Sequence, residues 1–209
     1  VPQQLQGIAV FRKAHPEINV RLYCHVPPVG DFHLDQVIHA MGLDDCTAKV
    51  DDYIVSQGGI EETKMVQLFN AADVVMDCCL EGMGFSQLQA MACGVPAITL
   101  AEGPGPEIVA YGAEADAMGP DLSNLLLKPI PSPLSIAQAL EKLYPWRGQK
   151  DERAVEHART YYSWERVAEQ WFDLIENVLL NDMERFSMYV PEIPSAMLQE
   201  RAKQEIQVA

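Results

Sequence analysis

The chain has 209 residues, 48% hydrophobic and 22% charged, which is enough apolar content to bury a sizeable core and excludes a disordered chain. Acidic residues number 30 against 15 basic ones, a formal net charge of −15, and no Lys/Arg cluster interrupts that field along the sequence. Nucleic acid and anionic membrane, both bound mainly through basic patches, are poor partners for such a chain.

The five cysteines, at 24, 46, 78, 79 and 93, are odd in number, lack Cys-x-x-Cys spacing and include an adjacent pair. That pattern suits a reducing compartment, and a cytoplasmic location is expected. No apolar run approaches the ~18 residues of a transmembrane segment, and no basic-then-apolar leader is present. The chain opens on Val1 with no upstream strand and reads as a fragment of a larger protein.

Taken in order, "PQQLQGIAVFRKAHP" carries Leu5, Ile8, Ala9 and Phe11 at helical spacing, and "INVRLYCHV" reads as a strand. "HLDQVIHAMGL" is helical and ends near Gly42 in the manner of a glycine cap; "CTAKVDDYIV" offers a short strand. "IEETKMVQLFNAA" is an amphipathic helix with acids in its first turn, where the helix dipole favours them. "DVVMDCC" and "VPAITL" are short apolar runs of strand type that bracket a small-residue helix. Strands and helices alternating in this way predict a Rossmann-like α/β fold, a parallel sheet flanked by helices.

From Gly119, "PDLSNLLLKPIPSP" reads as an irregular, proline-rich connector. Helices are expected at about 133–143, 150–161 and 164–180, the last with Trp164, Val167, Trp171, Leu174, Ile175 and Val178 on one stripe, the pattern of core packing. Residues 1–180 form the expected domain, and 181–209 a loosely docked tail.

The stretch "EGMGFSQLQAMACGVPAITL", residues 81–100, holds the candidate chemistry. Gly82 and Gly84 allow close backbone approach just before a helix N-terminus, whose free N–H groups favour anions, so the turn can cradle a phosphate. Glu81 is badly placed for phosphate but well placed to accept hydrogen bonds from sugar hydroxyls. Gln89, eight residues on, can reach a ribose. Phosphate plus hydroxyls suggests a nucleotide sugar, although a Gly-x-Gly turn also occurs merely for tight packing. In open sheets, ligands bind beyond the carboxyl ends of the strands, so the Glu81 loop and "AEGPGPEIV", residues 101–109, are expected to face one crevice.

Residues 69–109, "FNAADVVMDCCLEGMGFSQLQAMACGVPAITLAEGPGPEIV", resemble the donor-binding segment in the C-terminal domain of GT-B glycosyltransferases, in particular the large retaining family 4. "HPEINVRLYCH" looks like the second strand of that domain and "YYSWERVAEQWFDLIE" like its closing helix, so the resemblance covers about 1–180. It implies that Glu81 is catalytic and touches the donor sugar. Gly82 and the amides of Met83, Gly84 and Phe85 would approach sugar and diphosphate, and Gln89 would stand where the family holds the ribose with a second glutamate. Met83 replaces the usual Phe and Cys78 the usual Ser or Thr. Glu107 either faces the donor or is a dipole-favoured first-turn residue; His25, at a strand end, is a candidate ligand contact or a polar loop residue.

The resemblance further implies a hexosyltransferase whose donor is a nucleoside-diphosphate sugar, with no metal or other cofactor. Its unknown acceptor would be held by an N-terminal domain that is missing here, together with the Arg and Lys that neutralise the diphosphate. The chain alone is therefore expected to be inactive. The alternatives are a non-catalytic nucleotide-sugar-binding or interaction module derived from that family, and a sugar-phosphate epimerase of similar fold. A serine hydrolase is disfavoured because residue 88 is Leu rather than Gly, a dinucleotide fingerprint because residue 87 is Gln, and a zinc site because the histidines lack ligand spacing.

Overall fold

The computed structural model describes residues 1–27, 32–51, 59–79, 83–103, 105–109, 111–121 and 128–179. The chain divides into two compact units, Val1–Tyr161 and Tyr162–Ala209.

In the first unit, α1 (Pro2–Ala14) leads to β1 (Leu22–Cys24), α2 (Leu34–Ala40) and β2 (Thr47–Lys49), and β1 pairs with β2 in parallel. Leu5 and Ile8 of α1, Cys24 of β1 and Leu34 and Ile38 of α2 share one buried cluster, as the helical spacing predicted. Gly42 takes the left-handed conformation, φ 65°, its N–H bonded to His39 O and that of Leu43 to Ile38 O. This is the glycine-capped helix end foreseen from the sequence.

Next come α3 (Glu62–Ala71), β3 (Val75–Asp77), α4 (Phe85–Ala92), β4 (Ala97–Leu100), the single turn α5 (Gly105–Ile108) and β5 (Gly112–Ala115). The strands form a parallel sheet in the order β3-β4-β5, Ile98 opposite Met76 on one side and Ala113 on the other. All four β4 residues are buried, and alternate ones serve opposite faces. Ala97 meets Phe69 of α3 and Ala90 of α4 in one cluster. Ile98 and Leu100 meet Ile136 and Ala139 of α6 (Pro133–Leu143) in another. A strand covered on both faces needs the uninterrupted apolar run that "AITL" provides.

α6 begins where expected because Pro133 fills the first helical position and the Ser132 hydroxyl accepts the Ser135 N–H at 3.3 Å. It lies against α1 so closely that a Cβ on Gly7 would stand 2.5 Å from Ile136 Cγ2.

One expectation is corrected. The connector after Gly119 is not irregular throughout: β6 (Ala117–Asp121) and β7 (Lys128–Pro131) form an antiparallel ribbon with a register shift between Ala117 and Gly119. Its Gly and Pro content argues against strands locally, but a two-stranded ribbon tolerates proline wherever an N–H would face away from the ladder.

After a 3₁₀ turn (Tyr144–Trp146) and α7 (Glu152–Tyr162), the second unit holds α8 (Trp164–Leu174), N-capped by Ser163, and a π turn (Ile175–Leu179). Here a second expectation fails. Of the stripe assigned to core packing, Trp164, Trp171, Leu174 and Ile175 are at the surface, Trp164 79% and Trp171 58% exposed. Among the described residues this unit contains no other element that covers it; amphipathic spacing announces a face to be buried without saying by what.

Candidate functional site

Two of the expected site residues, Glu81 and Gly82, lie outside the described residues. The turn that follows them is described. Gly84 stands at the N-cap of α4 with φ 67° and ψ 53°, a left-handed conformation that costs an L-residue about 1–2 kcal/mol and glycine nothing. The N–H groups of Gln87 and Leu88 both bond to Gly84 O. Those of Phe85 and Ser86 find no partner among the described residues, the usual state of a helix start. Met83 and Phe85 are exposed, Phe85 to 61%. The structure thus brings Met83, Gly84 and Phe85 together as an open, amide-bearing turn.

Gln89 is exposed, one turn into α4. The residue sequence reasoning missed is Gln87, buried to 1% exposure and pointing the other way, as two residues on a helix turn it by roughly 200°. Its Nε2 donates to Asp77 O at 2.6 Å and to Thr99 Oγ1 at 3.0 Å, tying α4 to the carboxyl ends of β3 and β4. Its Oε1 is buried with no hydrogen-bond partner among the described residues and faces Gly84, where a Cβ would stand 2.6 Å from it. The signal was available: Gln87, Ala90 and Met91 fall on one helical face, and all three are buried.

Asp77 closes the network. Its carboxylate accepts the Ser86 hydroxyl on one oxygen and the Cys79 thiol on the other. Ser86 is thereby engaged as a structural donor. Cys78 is buried against Ile98 O, and burial first, with the Asp77 charge second, pushes its thiol up to about 12. In place of a hydroxyl, this position carries an inert core thiol.

The 101–109 loop returns to the same place. A Cβ on Gly105 would stand 1.8 Å from Thr99 Oγ1, so α5 lies on the residue that anchors Gln87. Gln87 of α4 and Gly105 of this loop thus both adjoin Thr99, near the carboxyl end of β4. Glu107 is exposed in α5. His25 follows β1, exposed, with Nδ1 3.3 Å from Tyr23 Oη; no hydrogen bond joins it to the α4 turn among the described residues. Among those residues, too, no group of His, Cys, Asp and Glu is arranged to hold a metal ion, and no helix is long and apolar enough to cross a membrane.

A parallel sheet with helices on both faces and a glycine turn opening a helix at its carboxyl edge is the α/β architecture of GT-B glycosyltransferases, and solved proteins of that class superpose on it. Sucrose-phosphate synthase from Thermosynechococcus elongatus matches with a TM-score of 0.60 at 18% identity, over 86% of this chain and 43% of that one. A pneumococcal O-GlcNAc transferase, solved with UDP and GlcNAc, matches at 0.56 and 18%, over 85% and 33%. Residues 2–145 match the family model of glycosyl transferases group 1, and the chain belongs to that family. Mannosylfructose-phosphate synthase of Agrobacterium fabrum is 23% identical over 181 residues, 82% of this chain but 36% of that protein, so the chain spans about a third of that relative's length.

Proposed function

We propose that the chain is the donor-binding part of a retaining glycosyltransferase, which moves a hexose from a nucleoside-diphosphate sugar to an acceptor held by an N-terminal domain outside this sequence. The observation that carries this reading is the open turn Met83–Phe85 at the carboxyl edge of the sheet, with Gly84 left-handed and the first amides of α4 without a partner among the described residues. Those amides suit a diphosphate. Glu81 would take the sugar hydroxyls, and Gln89 and Glu107 would contribute from the exposed rim. The UDP complex of the pneumococcal transferase supports a nucleotide donor.

In this reading catalysis rests on positioning the donor and stabilising the leaving diphosphate with amides and with cations from the other domain, without a metal. The isolated chain would bind donor and turn over nothing. A cytoplasmic site of action fits five cysteines none of which is disulfide-bonded.

Calorimetry with UDP and UDP-hexoses on the full chain tests the reading. Heat that disappears for the sugar nucleotides in Glu81→Ala is expected. A second reading, a non-catalytic interaction module, draws on Gln89, a neutral amide where the family has a glutamate. It predicts no heat with any nucleotide, and that outcome would displace the first. Exchanging a charged for a neutral hydrogen bond lowers affinity by about 1 kcal/mol, roughly fivefold, so Gln89→Glu should bind donor about that much more tightly.

A further inference from the structure

We propose a second binding site, for a small phosphate monoester carrying a ring, at the amino ends of β4 and β5, the opposite end of the sheet from the glycine turn. A cavity of ≈ 450 Å³ lies there, with Pro96 and Gly112 at the strand starts and Tyr111, Lys142, Trp146, Lys150 and Arg153 among its walls. That size falls within the roughly 300–1,000 Å³ of small-molecule sites.

Its walls are fixed in advance. The segment between α6 and α7 is pinned to the sheet side at three points: Gly148 N to Asp73 Oδ1 at 2.8 Å, Lys150 Nζ to Asn70 O at 2.9 Å, and Asp151 N to Gly94 O at 2.9 Å. The floor is equally constrained, because a Cβ on Gly112 would stand 2.2 Å from Ala97 O. A site whose geometry precedes its ligand loses little entropy on binding.

The charge is the unexpected part. In a chain with 15 basic residues against 30 acidic, Lys142, Lys150 and Arg153, which fall within twelve consecutive positions, line one cavity. The single carboxylate among the lining residues, Asp151, is taken by Arg153, which donates to it at 3.0 and 2.7 Å. Lys142 pairs with no described residue, and Lys150 uses one of three donors on Asn70. Two ammonium groups with donors to spare suit a dianion, hence a phosphate monoester rather than a carboxylate.

The ring follows from the aromatics. Trp146 is 56% exposed and presents ring surface beside the cations, while Tyr111, half-buried, carries the Arg153 guanidinium 5.1 Å from its ring centroid. An occupant here leaves the glycine turn at the carboxyl ends unobstructed, so the two sites can fill together.

The test is an amide NMR titration of the full chain with phenyl phosphate. We expect shifts confined to residues around 96, 111–112 and 142–153. Affinity should weaken at least about fivefold in Lys142→Ala and in Trp146→Ala, recover in Lys142→Arg, and fall with added salt, as charge-driven binding does. Inorganic phosphate alone and phenol alone should each bind at least about tenfold more weakly. UDP binding should be the same in Lys142→Ala as in the parent, so failure here is separable from failure of the donor reading. Shifts at Met83–Phe85 instead, no shifts at about 10 mM, or shifts indifferent to both alanine variants would overturn the proposal.

Discussion

Replacing Gly84 with alanine puts the glycine turn under direct test. Alanine at φ 67° costs about 1–2 kcal/mol on its own. The new Cβ would also stand 2.6 Å from Gln87 Oε1, closer than such atoms approach, so the amide must move. That amide is tethered by its bonds to Asp77 O and Thr99 Oγ1, each contributing about 0.5–1.5 kcal/mol net. With one of the two lost, the total comes to about 1.5–3.5 kcal/mol, a large part of the ~5–15 kcal/mol that holds an ordinary domain folded. Urea unfolding followed by circular dichroism measures it, and a double-mutant cycle separates its parts. In a Gln87→Ala background the clash is gone and only the backbone cost remains, so the coupling should be about 0.5–1.5 kcal/mol. Equal costs in both backgrounds would refute the contact, and a neutral Gly84→Ala would refute the left-handed turn itself.

Three further outcomes are expected. Gly7→Ala should destabilise by about 1–3 kcal/mol despite alanine's better helix propensity, because its methyl meets Ile136; calorimetric melting of Gly7→Ala with and without Ile136→Ala checks that relief. His15, half-buried and hydrogen-bonded to Glu141 at 2.9 Å with Glu17 nearby, should titrate above 6.5 by NMR and return toward it in Glu141→Gln. Its raised pKa means the pair's contribution is present below the unfolded value near 6.5 and is lost as pH rises through the folded one. Under native alkylation at mildly alkaline pH, Cys79 should label first and Cys93 more slowly, with buried Cys24, Cys46 and Cys78 labelling only on unfolding; mass spectrometry showing Cys78 modified as fast as Cys79 would contradict its burial.

What the sequence disclosed was what is local. Helical spacing in residues 2–14, the Ser-Pro start of α6 and the glycine end of α2 each depend on neighbours within a few positions, and each appeared where expected. The ribbon of β6 and β7 was illegible because its strands hold glycine and prolines and are defined by each other across a gap in sequence. The exposed stripe of α8 was misread for the same reason: periodicity reports a face and leaves its partner unstated. At the candidate site the turn at Gly84 was legible as a motif. Gln87 was not, since a buried amide looks like any surface glutamine until its register against Ala90 and Met91 is counted. The basic cavity was hidden as well: Lys142, Lys150 and Arg153 stand close in sequence, but interleaved acids mask the run, and Pro96 and Tyr111 join them only through the fold.

The close approach of α1 and α6 has a consequence for how the protein is made. Gly7 meets Ile136 across some 129 positions of chain. At a ribosomal rate of ~5–20 residues per second, the first helix waits roughly 6 to 26 s after its own synthesis before its partner exists. During that interval Leu5, Ile8 and Phe11 lack the cover that α6 gives to α1. The nascent chain thus carries an apolar helix early and seats it against α6 late, which makes the interval before residue 143 emerges the time when chaperone contact or premature aggregation would act.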